Sequence, residues 1–345
     1  MTRIGVIGAG AAAAAATFEL STAGVDADVT VLEKSGGLCG RAATRRHEEL
    51  TYDYGANYVT SDDDRVNELL TDRLDDDGLV DIDEPTYTFG ADGEVSPGRE
   101  PDGHRWSYEA GLTQIAKRLF ARTDATVHRR TRVETIHHDD GVWRLTDGDG
   151  EQWGPFDRLL VSPPAPQTAA LWAKADWDDP HRTALAETVE DVTYRAVWTG
   201  VLRYDFRLDV PYYALVDVEK QHPVGWISRE ECKAGHVPDG ETVLIVQAGG
   251  EWSTENYDRD PETNVAELAD HAAEIVGDDR LRDPTWTDHQ GWRYALPEDG
   301  VDTEPLTAAE DAGVYHLGDW VPGEARLHAA LRDGLETSER LAESL

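Results

Sequence analysis

The hydrophobic pattern of the first forty residues describes one unit. Ile4 to Ile7 form a short apolar run of the length expected for a buried strand. Gly8, Gly10 and Ala13 follow in the spacing G-x-G-x-x-G/A, and Ala11 to Ala16 are strong helix formers. In such a pattern the first glycine permits a tight turn and the second lets a pyrophosphate approach bare backbone. The small third residue lets helix and strand pack closely. Ala23-Gly24 marks a turn, Val29 to Leu32 a second strand, and Glu33 its end. A carboxylate there accepts the hydroxyl hydrogens of an adenosine ribose and disfavours a 2′-phosphate, so FAD or NAD fits better than NADP. Strand, glycines, helix, strand and acid stand in the order a dinucleotide site requires.

Further along, Tyr52 to Thr60 is strand-like with a break at Gly55. Thr60-Ser61-Asp62 offers N-caps for a helix carrying Val66, Leu69 and Leu70. Pro85, Pro97 and Pro101 make 85–106 a region of hairpins or loops. Leu112, Ile115, Ala116, Leu119 and Phe120 give one apolar helical face. Val127 to Leu145 reads as paired strands turning at Asp140-Gly141, and Leu159 to Val161 as a buried strand stopped by Ser162-Pro163-Pro164. Beyond Pro166 the composition shifts: Trp172, Trp177, Trp198, Trp226, Trp252, Trp286 and Trp292 all fall before residue 304. Strands are expected at 194–206, 212–218 and 242–248, a helix at 262–277, a last buried strand at 313–317 and a last helix at 325–345.

A dinucleotide fold that opens the chain and a strand and helix that close it imply one nucleotide domain built from both ends. The expected division is 1–75, 108–165 and 305–345 for that domain, with 76–107 and 166–304 forming the substrate domain. The fold class is α/β: a Rossmann-like domain with an inserted α+β domain on a mixed or antiparallel sheet. Ligands favour domain interfaces, which puts the site between the two.

Charge narrows the partners. Against 69 Asp+Glu the chain has 32 Lys+Arg, a net charge of −37, which argues against nucleic acid or an anionic membrane as a partner. Acidic runs such as Asp62-Asp63-Asp64 and Asp75-Asp76-Asp77 read as a solvated surface suited to the salty cytoplasm of a halophile. Two cysteines, Cys39 and Cys232, exclude a disulfide framework and fit a reducing, cytoplasmic compartment. No apolar run is long enough to span a membrane. The chain has no Ser-His-Asp order, no H-E-x-x-H and no C-x-x-C, so neither hydrolytic nor metal chemistry is supported, and no metal is expected.

Several stretches together resemble the FAD-dependent amine oxidase superfamily, most closely its renalase branch. Its G-G-R motif stands here as Gly37-Leu38-Cys39-Gly40-Arg41. An aspartate-glycine segment follows as Tyr52-Asp53-Tyr54-Gly55-Ala56-Asn57-Tyr58. Phe156-Asp157-Arg158, Glu251-Trp252-Ser253 and Trp292-Arg293-Tyr294-Ala295 occupy the middle, and Tyr315-His316-Leu317-Gly318-Asp319-Trp320 the end. The resemblance implies a non-covalent FAD, since neither cysteine is near the C-terminus where some relatives attach it. It implies a fold of the GR2 type and a cofactor-binding set of Gly8, Gly10, Ala13, Glu33, Lys34, Gly40, Arg41, Asn57, Val133, Gly318, Asp319, Arg326 and Leu327. Val133 would offer backbone groups to the adenine, and the helix starting at Leu327 would aim its N–H groups at the flavin O2 edge. Cys39 departs from the glycine usual in G-G-R, which makes the backbone approach looser or brings a thiol near the cofactor.

The resemblance also implies a reaction: hydride transfer from a small nitrogen-containing donor to flavin N5, with reoxidation by O2 giving hydrogen peroxide. Renalase-like proteins oxidise aberrant isomers of NAD(P)H, so a pyridine nucleotide is the expected donor. Trp226, His289, Trp292 and Tyr294 are candidates for the substrate face, with the catalytic residue itself unknown. Arg229 and Arg293 are candidates for a phosphate. The alternatives are an amine oxidase, a desaturase acting on a polyene or porphyrinogen, and a non-catalytic flavin-binding regulator.

Overall fold

The computed structural model describes residues 1–90, 93–98 and 103–345. The opening unit forms as the pattern predicts, with β1 (Thr2–Ile7), α1 (Ala11–Thr22) and β2 (Ala27–Glu33) in succession. β1 and β2 pair in parallel, and Gly8 makes the turn between β1 and α1 at φ +94, a conformation that suits glycine.

A hairpin of β3 (Thr44–His47) and β4 (Leu50–Asp53) comes next. Regular pairing stops at Asp53, short of the expected Tyr52–Thr60 strand, and resumes only as a bridge from Val59 to Trp106. The cause is close contact: a Cβ on Gly55 would stand 2.0 Å from the Arg41 carbonyl oxygen. α2 (Asp64–Glu68) is capped by Asp63, whose side chain accepts from the Arg65 N–H, and not by Thr60 to Asp62. Val66, Leu69 and Leu70 are buried as their spacing predicts. The proline-rich stretch supplies β5 (Leu79–Asp81), then a β6 (Thr86–Phe89) and β7 (Val95–Pro97) hairpin, then β8 (Trp106–Tyr108). Pro101 lies outside the described residues.

α3 (Thr113–Ala121) buries its apolar face. The 127–145 stretch divides between two sheets. β9 (Thr126–Arg129) pairs in parallel with β2, and Arg130 then reverses the chain at φ +62. β10 (Val133–Asp139) and β11 (Val142–Asp147) form the expected hairpin, with Asp140 and Gly141 both at positive φ, extended by β12 (Gln152–Phe156). β13 (Arg158–Val161) returns to the parallel sheet. α4 (Ala165–Lys174) and α5 (Pro180–Glu190) place Trp172 and Trp177 in a core with Trp143 and Val314.

The middle of the chain continues as β14 (Tyr194–Tyr204), β15 (Ala214–Asp217), β16 (Val224–Arg229), β17 (Thr242–Ala248), α6 (Gly250–Glu255), α7 (Pro261–Val276) and β18 (Trp286–Pro297). α8 (Thr303–Ala308), β19 (Val314–His316) and α9 (Leu327–Glu343) close it. β16 and β18 carry too little alternation to be read as strands. β18 is an edge strand whose residues are mostly half-buried, so polar and aromatic positions mix along it.

Two sheets result. The parallel one has the order β19-β13-β1-β2-β9 and so draws strands from the start, middle and end of the chain. The other has the order β18-β14-β17-β16-β15-β6-β7 and is antiparallel except for β15 beside β6. α9 lies on α1 so tightly that a Cβ on Gly334 would stand 2.2 Å from the Ala12 carbonyl oxygen. This contact explains the all-alanine run Ala11–Ala16, every residue of which is buried. The seven-stranded sheet packs one face on α7. Its other face sets Val201, Val243 and Ile245 against Tyr52 and Tyr54 of the first half.

Candidate functional site

The candidate site is built from the glycine turn outward. Gly10 is the N-cap of α1 and offers no side chain to the first-turn N–H groups, which leaves them as donors. A Cβ at Gly10 would meet only Ser162 Oγ, at 3.9 Å, so the backbone is open on that side. Glu33 is buried at the end of β2, with Oε2 accepting from the Ala9 N–H at 2.7 Å and Oε1 from the Ser35 N–H at 2.7 Å. Each oxygen keeps a further lone pair for a hydroxyl. The Cys39 N–H donates to the Ala9 carbonyl, and Gly40 lies against Gly10, with its Cβ direction 3.6 Å from the Gly10 Cα.

Arg41 then joins the two ends of the chain. Its guanidinium donates to Asp319 Oδ1 at 2.5 Å, 278 residues away, and to the Ala295 carbonyl at 2.8 Å. Burial raises the Asp319 carboxyl above the usual range, and Arg41 opposes that shift. Gly318 precedes it at φ +144 and donates its N–H to Asp333 Oδ2 at 2.7 Å. The Asp319 carbonyl accepts from the Glu324 N–H, which folds the loop back toward Arg326 and Leu327 at the start of α9. Arg326 is exposed, and as N-cap it makes no side-chain hydrogen bond to the helix.

The second wall comes from the segment after Asp53 and from the facing sheet. The Ala56 N–H donates to the Arg41 carbonyl at 2.9 Å. Tyr54 stacks on Trp292 at 5.3 Å, Trp292 Nε1 donates to the Tyr54 carbonyl at 3.0 Å, and the Arg45 guanidinium covers Tyr54 at 4.2 Å. Asn57 Oδ1 accepts from Ser228 Oγ at 3.0 Å, and Gln247 Nε2 donates to the Gly55 carbonyl at 2.7 Å. One row of paired residues crosses four strands on this face: Trp226, Gln247, Thr199 and Gln290. Trp226 Nε1 and Thr199 Oγ1 are buried without a hydrogen-bond partner among the described residues.

Hydrogen bonds and packing link Gly10 with Gly40, Arg41 with Asp319, and Gly318 with Asp333 on the buried face of α9, while Glu33 holds the Ala9 N–H between Gly8 and Gly10 and Ala13 is buried in α1. Trp292 lies on Tyr54, Asn57 bonds Ser228 of β16, and Trp226 lies on Tyr58. Tyr294 sits beside Tyr194 at 5.6 Å, and Tyr194 OH accepts from the Ala165 N–H. Lys34 points outward to Gln167 Oε1 at 2.8 Å, and Val133 opens β10 two residues past Thr131, whose N–H bonds the Glu33 carbonyl.

Three expectations are corrected. His289 is not on the substrate face: it stacks on Trp198 at 5.3 Å, in the layer that packs on α6 and α7. Arg229 is buried and donates to the Leu208 and Val210 carbonyls, so it faces no phosphate. Cys39 holds the left-handed conformation at φ +74 where glycine is usual, but its Sγ turns inward to the Leu112 carbonyl. Burial pushes that thiol up to about 12, the behaviour of an inert packing residue. Arg293 is exposed, paired with Asp258 at 3.3 Å. Sequence reasoning missed Gln247 and Thr199, whose only signal is a polar residue beside the apolar run 243–246 and one within the mostly apolar run 196–202.

Comparison with known proteins bears on this geometry. The model of a family described as NAD(P)-binding Rossmann-like domain matches residues 6–73. The model of a family described as flavin containing amine oxidoreductase matches residues 100–342. Among solved structures, a provisionally named protoporphyrinogen oxidase from Exiguobacterium sp. 255-15 superposes with a TM-score of 0.81 at 16% identity, covering 100% of this chain and 99% of its own. Putrescine oxidase bound to putrescine gives 0.76 at 12%, over 99% of both chains. Cyclohexylamine oxidase from Brevibacterium oxydans IH-35A gives 0.74 at 14%, again over 99% of both. At these identities the structural likeness speaks for the fold.

Proposed function

Since the chain belongs to the flavin-containing amine oxidoreductase family, we propose that it oxidises a small, hydrogen-bonding nitrogen compound, with an isomeric dihydro-NAD(P) as the leading donor. The residues fit FAD on their own geometry: bare backbone at Gly10, uncapped N–H groups at the start of α1, the Glu33 carboxylate, and the Arg41–Asp319 pair. When bound, the flavin supplies a two-electron acceptor. The protein supplies the rest. α1 and Arg41 bind negative charge, Glu33 orients a ribose, and Tyr54 and Trp292 wall the cleft and exclude water.

The observation that carries the substrate class is the row Trp226, Gln247, Thr199 and Gln290. A site for a polyene would continue the aliphatic lining of Val201, Val243 and Ile245 along this row. Here three of the four are amides or hydroxyls, and Trp226 Nε1 and Thr199 Oγ1 have no hydrogen-bond partner among the described residues. An unpaired buried donor or acceptor favours a ligand that satisfies it. A second reading, an amine donor, draws support from the cluster of Tyr58, Tyr213 and Trp226, whose centroids lie 6.2–6.3 Å apart and whose ring faces attract cations. The acidic excess supports work at high salt, and O2 is the acceptor proposed.

The test is anaerobic mixing of the FAD-loaded protein with 2- and 6-dihydro-NAD(P), and separately with putrescine and other amines. Bleaching of the flavin by the dihydropyridines, with peroxide formed when air is admitted, is the expected outcome. Bleaching by amines alone would transfer the assignment to amine oxidation, and a flavin that no donor reduces would reject both.

A further inference from the structure

One group of completely buried charges lies outside the cofactor cleft. Asp53 ends β4, while Glu230, Lys233 and His236 occupy the turn after β16. Lys233 Nζ lies 3.0 Å from Asp53 Oδ2 and 2.8 Å from Glu230 Oε1. The Asp53 carboxylate is saturated: Oδ1 accepts from Thr44 Oγ1 at 2.6 Å and the Leu112 N–H at 3.0 Å, and Oδ2 from Ser107 Oγ at 3.1 Å as well as Lys233. Glu230 Oε2 accepts from the Asp53 N–H at 3.1 Å and faces His236 Nδ1 at 2.7 Å.

The charge balance follows from what each partner can do. His236 Nε2 lies 2.9 Å from the Tyr108 carbonyl, which only accepts, so Nε2 carries a hydrogen. A further proton lies on the line from Nδ1 to Glu230 Oε2. On either atom, the four groups sum to zero. Asp53, Glu230 and His236 each offer a ligand atom within 4.8 Å of the others, but the Lys233 ammonium already serves two of them as the cation. Burial would favour neutral Lys233, yet Asp53 and Glu230 outweigh it and raise the ammonium; Lys233 and His236 likewise outweigh burial and hold Asp53 low. Removing one member leaves a buried ion uncompensated, so the set is all or none.

Its place in the chain gives it a consequence. The Lys233–Asp53 pair spans 180 residues and ties the two halves together. Asp53 immediately precedes Tyr54, Gly55 and Ala56, which pack on Arg41 and Trp292, and Asn57, which bonds Ser228 of β16. We propose that Lys233 is a positioning residue for the cofactor site: seated on Glu230, which His236 steadies, it holds Asp53 and thereby sets the Tyr54–Asn57 segment against Arg41 and Trp292.

The experiment compares FAD affinity and the near-ultraviolet circular dichroism of the apoprotein in the parent and in Lys233→Met, in molar KCl and well below the melting temperature. Expected is binding about tenfold weaker, from a displaced wall, with a diminished Tyr54–Trp292 signal. Asp53→Asn combined with Lys233→Met binds no more weakly than Lys233→Met alone, because both break one interaction. A Lys233→Met protein that melts earlier but keeps the aromatic signal and binds FAD within about twofold of the parent, the level of independent sites, overturns the proposal. If Lys233→Met fails to fold, Ser107→Ala removes one Asp53 hydrogen bond and no charge. Weaker FAD binding then supports positioning, and unchanged binding and dichroism overturn it. A parent that binds no FAD would defeat the cofactor assignment, a result distinct from either.

Discussion

Cys39, which stands where the resembling family has glycine, and Asp333, next to Gly334 on α9, each have a physical explanation. Cys39 takes the left-handed conformation, which costs a non-glycine residue about 1 kcal/mol or more. Its side chain is buried in the core beside Leu112, and the burial of a small apolar group offsets that strain. Asp333 is buried on α9 and accepts from the Gly318 N–H. Burial raises its carboxyl to about 7, and the Gly318 hydrogen bond only partly opposes this. A carboxyl raised in the folded state keeps its proton longer than in the unfolded chain. Stability is therefore full below the unfolded value and falls as pH rises toward 7, by about 1.4 kcal/mol per unit at most. Asp333→Asn keeps an acceptor for Gly318 and removes the titration. Thermal melts should show it matching the parent in acid and melting higher at slightly alkaline pH. A gain that is equal at both ends would contradict a raised Asp333.

Among the elements, α1 and α9 make the tightest fit. Ala11–Ala16 and Gly334 let the helices approach until backbone meets backbone. Gly334→Ala should shift α9 and destabilise the protein by about 1–3 kcal/mol, read as a lower midpoint in denaturant. Because α9 begins at Leu327, beside the loop that carries Asp319, FAD affinity should fall as well. β18 shows the opposite case, an element whose residues serve two faces. Trp292 reaches Tyr54 on one side and His289 reaches Trp198 on the other, as the alternation of side chains along a strand requires of residues three apart.

For the whole molecule the dominant quantity is the net charge of −37. Self-repulsion on this scale opposes the compact state, and salt screens it over a Debye length of about 3 Å at molar strength. The melting temperature should climb from dilute buffer to molar KCl. A midpoint that is flat or falls with salt would show that the acidic surface carries no such burden. The buried Lys233–Asp53 pair is shielded from solvent, so added salt should leave it nearly untouched.

The sequence by itself determined what depends on neighbours along the chain. The glycine turn, α1, β2 ending at Glu33, the hairpin at Asp140-Gly141 and the faces of α3 and α7 all rest on local spacing and backbone preference. The family segments were equally legible, being contiguous. Only the tertiary structure decided which distant groups meet: Arg41 with Asp319, Lys233 with Asp53, and the row from Trp226 to Gln290. It also decided the faces of β18 beyond Trp292, because a register shift between Arg195 and Val197 alters the alternation there. Such pairings are set by packing and burial across the fold, and no spacing within a single segment encodes them.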